Sequence, residues 1–203
     1  EGAVLDGSGA VILEGGGVGR AIAPGPVVLD ASGWTGTSSG LLLDVGRATS
    51  IAAVEGQVGA GTPFGEAALV VDGARWPRPE PEDEAGFAIA AADVDGDGRV
   101  EWLVGAPAAG RVYVVDSEAS NILQTLSGAG GRFGASIATN DLDGDGRAEV
   151  LVGAPRADND AGAAVLFAGG ALLVEARAWS GDIHDRLGTS VALGEGKALI
   201  GAP

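Results

Sequence analysis

Cysteine and methionine are both absent from the 203 residues. No disulfide, thiolate metal site or thiol nucleophile can therefore be built, though this alone does not fix a compartment. Histidine is nearly absent too. His184, in "GDIHDRLG", is the only one. With no Cys beside it and no nucleophile signature in its loop, it reads as a solvated loop residue rather than part of a triad or zinc site. No apolar run approaches the roughly 20 residues that a membrane-spanning helix needs, and no stretch sustains a 3.6-residue apolar period. Positive charge is scarce: 12 Lys and Arg stand against 28 Asp and Glu, a formal net charge of −16. That balance argues against nucleic acid and against anionic membrane surfaces, and suits cations or a basic partner. The chain opens at Glu1 without a charged and apolar leader. Either a targeting segment has been removed or this is a piece of a longer product.

What is abundant is glycine, 37 residues in all, against a usual share of about 7%. The glycines follow no collagen period and fall between short apolar runs, which reads as tight turns between many short strands. The runs repeat. "AGFAIAAADVDGDGRVEWLVGAP" (85–107) matches "FGASIATNDLDGDGRAEVLVGAP" (133–155). Shorter copies are "LGTSVALGEGKALIGAP" (187–203) and "GRATSIAAVEGQVGAG" (46–61), with "GAVLDGSGAVILEGG" (2–16) fainter still. In these three the acidic loop is replaced by a tight turn.

Two more strands are expected after each copy. They are "RVYVVD" (111–116) and "NILQTLSG" (121–128); "GAAVLFAG" (162–169) and "ALLVEARAWSG" (171–181); "EAALVVDG" (66–73) and "ARWPRP" (74–79); and "GRAIAPG" (19–25) and "PVVLDASGWTG" (26–36). A four-stranded antiparallel unit recurring at this period predicts an all-β fold, a β-propeller. A sandwich leaves the repeat unexplained, and a β-helix prefers shorter coils. The expected single propeller region, 1–203, has blades at about 2–36, 46–79, 86–128 and 134–181, with part of a fifth at 187–203. Small residues in "AIAAA" and "ASIAT" suit first strands crowded at the axis. The Pro of each "GAP" has no N–H and should end the ladder. Both ends offer strands one and two, so the expectation is an incomplete ring, finished by a further segment or chain.

The loop between strands one and two carries the chemistry. With Asp93 as position 1, Asp95 is 3, Asp97 is 5, Gly98 is 6, Arg99 is 7 and Glu101 is 9. The second copy runs Asp141, Asp143, Asp145, Gly146, Arg147 and Glu149. Ca²⁺ takes six to eight oxygens at about 2.3–2.6 Å. Carboxylates at 1, 3 and 5 of a curled loop can converge, a glycine at 6 permits the turn, and position 7 can offer its carbonyl. Arg99 and Arg147 are thus candidates through C=O alone, with Glu101 and Glu149 closing each site. Mg²⁺ is disfavoured by its stricter geometry. An EF-hand shares the early spacing but needs an acid at position 12 and helical flanks; here position 12 is Val104 or Val152. A solvated acidic turn is the plain alternative, opposed by the mutual repulsion of four close carboxylates and by the duplication.

Phe133-Gly134 and Gly153-Ala154-Pro155, bracketing "DLDGDGRAEV", resemble the FG-GAP repeat of the integrin α-subunit propeller and its bacterial relatives. The preceding copy keeps Gly86 and Gly105-Ala106-Pro107 but has its Phe at Phe87, and the terminal copy has Leu187-Gly188 and Gly201-Ala202-Pro203. The resemblance is specific over 85–155 and faint before 60. It implies a ring of about seven blades, structural calcium loops on one face, and a non-catalytic, secreted or surface-exposed module that binds a protein or glycan partner, as in cell adhesion. No partner-binding residues carry over. Position 9 is usually Asp in the family, whereas this chain has Glu. The alternatives are a propeller domain of a larger polysaccharide- or lipid-active enzyme, or a lectin that stacks sugars on Trp34, Trp76, Trp102 or Trp179. Packing between blades is the favoured role of these tryptophans. The acidic "EPEDE" (80–84) reads as a solvated connection. No carboxylate pair stands apart from the loops to serve glycoside hydrolysis.

Overall fold

The computed structural model describes residues 48–203 except 55, 56, 66, 73 and 129, together with the backbone of five strands in the first 47 residues. Three four-stranded antiparallel sheets follow one another, each in plain sequence order. The first comprises β6 (Ser50–Val54), β7 (Gln57–Gly61), β8 (Ala67–Val71) and β9 (Ala74–Pro77). The second comprises β10 (Ala88–Ala92), β11 (Glu101–Ala106), β12 (Arg111–Val115) and β13 (Ile122–Ser127). The third comprises β14 (Ser136–Asn140), β15 (Glu149–Ala154), β16 (Ala163–Ala168) and β17 (Val174–Ser180). The hairpin β18 (Ser190–Gly194) and β19 (Lys197–Gly201) comes last. One four-residue helical turn, Ala157–Asp160, is the sole helix among the described residues. The all-β, bladed reading holds. β11 and β15 end at Ala106 and Ala154, one residue before Pro107 and Pro155, where the missing N–H stops the ladder.

Among the first 47 residues, β1 (Gly2–Leu5) pairs with β2 (Val11–Glu14), as the faint repeat suggested. The stretch expected to form one fourth strand, 26–36, does not. It holds two antiparallel strands, β3 (Val27–Leu29) and β4 (Trp34–Thr37), and β5 (Leu42–Asp44) pairs next to β4. In the sequence between β3 and β4, Asp30, Ser32 and Gly33 are residue types that favour turns. The third strand expected at 19–25 lies outside the described residues.

The first strands β6, β10, β14 and β18 are neighbours in succession. Their starts line an axial cavity of about 480 Å³ with Ser50, Ala88, Ser136 and Ser190. Because successive side chains of a strand point to opposite faces, each middle strand feeds two interfaces. Trp102 and Val104 of β11, with Tyr113 and Val115 of β12, join Leu69, Val71 and Trp76 of the preceding blade. Leu103, Val112 and Val114 of the same strands join Val150, Val152, Val165 and Phe167 of the following one. A blade is thus a sheet buried on both faces. Each buried Val, Leu or Phe contributes roughly 1.5–3 kcal/mol relative to exposure.

Candidate metal centre

The loops 93–100 and 141–148 join β10 to β11 and β14 to β15, so strands flank them where an EF-hand would have helices. Each is held by its own carboxylates. Asp93 accepts from the N–H groups of Gly96 at 2.7 Å and Gly98 at 2.8 Å. Asp95 accepts from Asp97 N–H, and Asp97 from Arg99 N–H. The second loop repeats the set: Asp141 accepts from Gly144 and Gly146, Asp143 from Asp145, and Asp145 from Arg147. Gly98 and Gly146 sit at φ of 84° and 86°, which is why position 6 is glycine. At position 9, the first residue of strand two, Glu101 and Glu149 turn back and accept from the N–H groups of Val94 at 3.0 Å and Leu142 at 2.8 Å.

These turns draw three carboxylates together in each loop. Oxygens of Asp93, Asp95 and Glu101 lie within 4.8 Å of one another, as do those of Asp141, Asp143 and Glu149. Asp97 and Asp145 do not belong to these groups; each turns an oxygen to the amide of its arginine. Both position-9 glutamates are buried, Glu101 at 4% exposure and Glu149 at 9%. Burial pushes the Glu101 carboxyl up to about 7, and the charges of Asp95, Asp93 and Asp97 push it the same way against the Val94 hydrogen bond. Among the described residues no Lys or Arg forms an ion pair with any of the six converging carboxylates; Arg147 reaches only Asp145, at 3.9 Å. An all-oxygen donor set with one buried carboxyl and no ion pair among the described residues fits a hard divalent cation and does not fit a soft one.

At the strand ends away from the loops the motif glycines lock blade to blade. Gly86, Gly134 and Gly188 have φ of 95°, 93° and 87°. Each donates its N–H to the "GAP" glycine of its own blade, or its counterpart: Gly105, Gly153 and Gly201, all at 3.0 Å. Each also presents its carbonyl to the corresponding glycine of the blade before. A Cβ on Gly61, Gly105 or Gly153 would collide with the carbonyl oxygen of Gly86, Gly134 or Gly188 respectively. Ser50 and Ser136 add hydroxyl bonds to the Gly86 and Gly188 carbonyls, at 3.1 and 2.8 Å. The family model of the FG-GAP repeat matches residues 85–115 and 133–167. These are FG-GAP repeats. No curated protein matches the chain.

In the second FG-GAP repeat Phe133 is fully buried and packs edge-on against Phe167, with centroids 6.2 Å apart. In the first, Ala85 takes the equivalent buried place. Phe87, which the sequence offered as a displaced motif Phe, instead lines the axial cavity under the Arg132 guanidinium, 5.2 Å from its ring centroid. Trp76 and Trp102 are core residues, as the packing reading expected. Trp179 is half-buried, with the Arg177 guanidinium 4.9 Å over its ring. Trp34 side-chain placement lies outside the described residues. His184 is exposed. "EPEDE" is only partly solvated. Asp83 is buried, accepting from Ala85 N–H at 2.9 Å and from the Tyr113 hydroxyl at 3.4 Å. Asp83 tethers the connection between two blades, a role that composition does not reveal. Among the described residues no helix is long and apolar enough to cross a membrane.

Proposed function

We propose that this FG-GAP module binds one Ca²⁺ in each loop, for structure rather than catalysis, and acts as a secreted or surface-exposed binding module. The observation that carries the reading is the convergence of Asp93, Asp95 and Glu101, and of Asp141, Asp143 and Glu149, with one buried carboxylate per site and no cationic side chain paired with it among the described residues. The carbonyls of Arg99 and Arg147 and the second-rank carboxylates Asp97 and Asp145 complete the oxygen set. The ion would supply charge compensation; the chain's residues hold the turn, through amide-to-carboxylate bonds that already orient the ligand oxygens. A non-enzymatic role fits the loops, since their acids are committed to turn amides and to one another.

A protein or glycan partner fits the face opposite the loops, built from the turns after each second strand, such as 106–110 and 154–162. Phe64 is 60% exposed on the corresponding turn of the first full blade. It borders a cavity of about 590 Å³ with Gly65, Arg78, Pro79 and Pro81. The test of the calcium reading is thermal unfolding with Ca²⁺ or with chelator. Extracellular modules bind at about 10⁻⁴–10⁻³ M. Tenfold excess over Kd gives roughly 1.4 kcal/mol per ion. The melt should fall in chelator, and Asp95→Ala should remove the share of the first loop. A melt indifferent to chelator rejects the reading.

A further inference from the structure

The two loops touch. Ala148 lies between Arg147 and Glu149 of the second loop, and its N–H donates to the carbonyl of Asp93, the first residue of the first loop, at 2.8 Å. Gly170, in the turn between β16 and β17, donates to the Val94 carbonyl at 2.7 Å. The aliphatic stem of Arg147 lies against Gly96. Val94 and Ala148 are both buried and share one core cluster with Phe167 and Leu173. The first loop is therefore seated on the second, and its Asp93 and Asp95 are half-buried where Asp141 and Asp143 are exposed.

We propose that the two FG-GAP loops fill with divalent cation as a coupled pair with positive cooperativity, through the Ala148–Asp93 bond and the Arg147 stem. This rests on the calcium reading above. An ion drawn into the second loop holds residues 145–149 in the arrangement their turn bonds set, and with them the N–H that meets the Asp93 carbonyl. The first loop then spends less conformational entropy in closing on its own ion. By linkage the effect is reciprocal. The Coulomb term has the opposite sign, because a cation in one loop weakens the field that draws the other. Asp97, Asp141, Asp143 and Asp145 are exposed, however, and salt screens exposed charges over about 8 Å at physiological strength. The backbone bond acts at contact and prevails.

The test is a Ca²⁺ titration of the full chain at physiological salt, followed by NMR at the Gly98 and Gly146 amides, which report the two loops separately. Asp143→Asn weakens the second site while its amide oxygen can still accept from Asp145 N–H. It should raise the Ca²⁺ midpoint read at Gly98 by about fivefold or more. The reciprocal variant, Asp95→Asn, should raise the Gly146 midpoint by the same factor, so either variant decides the matter if the other does not fold. A midpoint at the unmutated loop that stays within about twofold, or falls, overturns the coupling and leaves the calcium reading intact. Amides in both wild-type loops that ignore Ca²⁺ overturn both.

Discussion

Gly134 and Gly153 carry motif letters for different reasons. Gly134 is held at a φ of 93°, while Gly153 has no room for a Cβ beneath the Gly188 carbonyl. The sequence displays both as glycines in a repeat, but not which constraint each obeys, because the second arises only when blades stack. Gly153→Ala should destabilise by about 1–3 kcal/mol through forced overpacking. Gly194→Ala, with open space around it, should change stability by no more than about 1 kcal/mol; denaturant unfolding of the two variants measures the difference. Asp116 is a second residue whose role was not legible, since "VVDSEASN" reads only as a turn. Burial would raise its carboxyl. Hydrogen bonds from the Ser120 amide, the Asn121 side chain and amide, and the Ser120 hydroxyl outweigh this and hold it below its ordinary value. A depressed folded value stabilises the fold above the unfolded-state pKa, near 3.9, and that stability is lost as pH falls through the folded value. NMR titration should find Asp116 among the more acidic carboxyls, and Asp116→Ala should flatten part of the acid limb of the stability curve.

At the scale of the element, strand existence and order from residue 48 onward were readable from apolar runs and glycine punctuation. The acidic loops were readable too, because a loop that curls on its own carboxylates needs only local spacing. What faces what was not readable. β11 is apolar on both faces, so its pattern has no alternation to show which residue meets which neighbour. Trp102 lies against Gly59 of the preceding blade, where a Cβ would strike its ring. One interface on, the corresponding positions are Val150 and Leu103, in one core cluster. Trp102→Val should leave a cavity and cost about 3–5 kcal/mol, and Gly59→Leu alone should be at least as damaging. The double variant should recover part of the loss, since large and small have exchanged places. Equal or greater loss in the double variant, by denaturant unfolding, would show that the interface does not pack as described. The stretch 26–36 departs from expectation for a local reason: "DASG" puts turn-favouring residue types inside an apolar run, between β3 and β4 in sequence.

Across the whole molecule, middle strands buried on both faces leave little to distinguish one blade from another except their loops, and there the repeats diverge. Two blades carry full acidic loops, while the hairpin β18–β19 turns at Glu195–Gly196 without one. The direct backbone bond between the loops puts them on one face of the blade stack. The turns after the second strands therefore lie on the other, which is where partner contacts are expected. Whether the converging carboxylates hold calcium is decided by isothermal titration calorimetry of the chain with Ca²⁺. Two ions per chain should bind with affinities of about 10⁻⁴–10⁻³ M, falling to one in Asp95→Ala and one in Asp143→Ala. A chain that binds no Ca²⁺ in that range, or keeps both ions when either loop loses its ligand, would contradict the calcium reading.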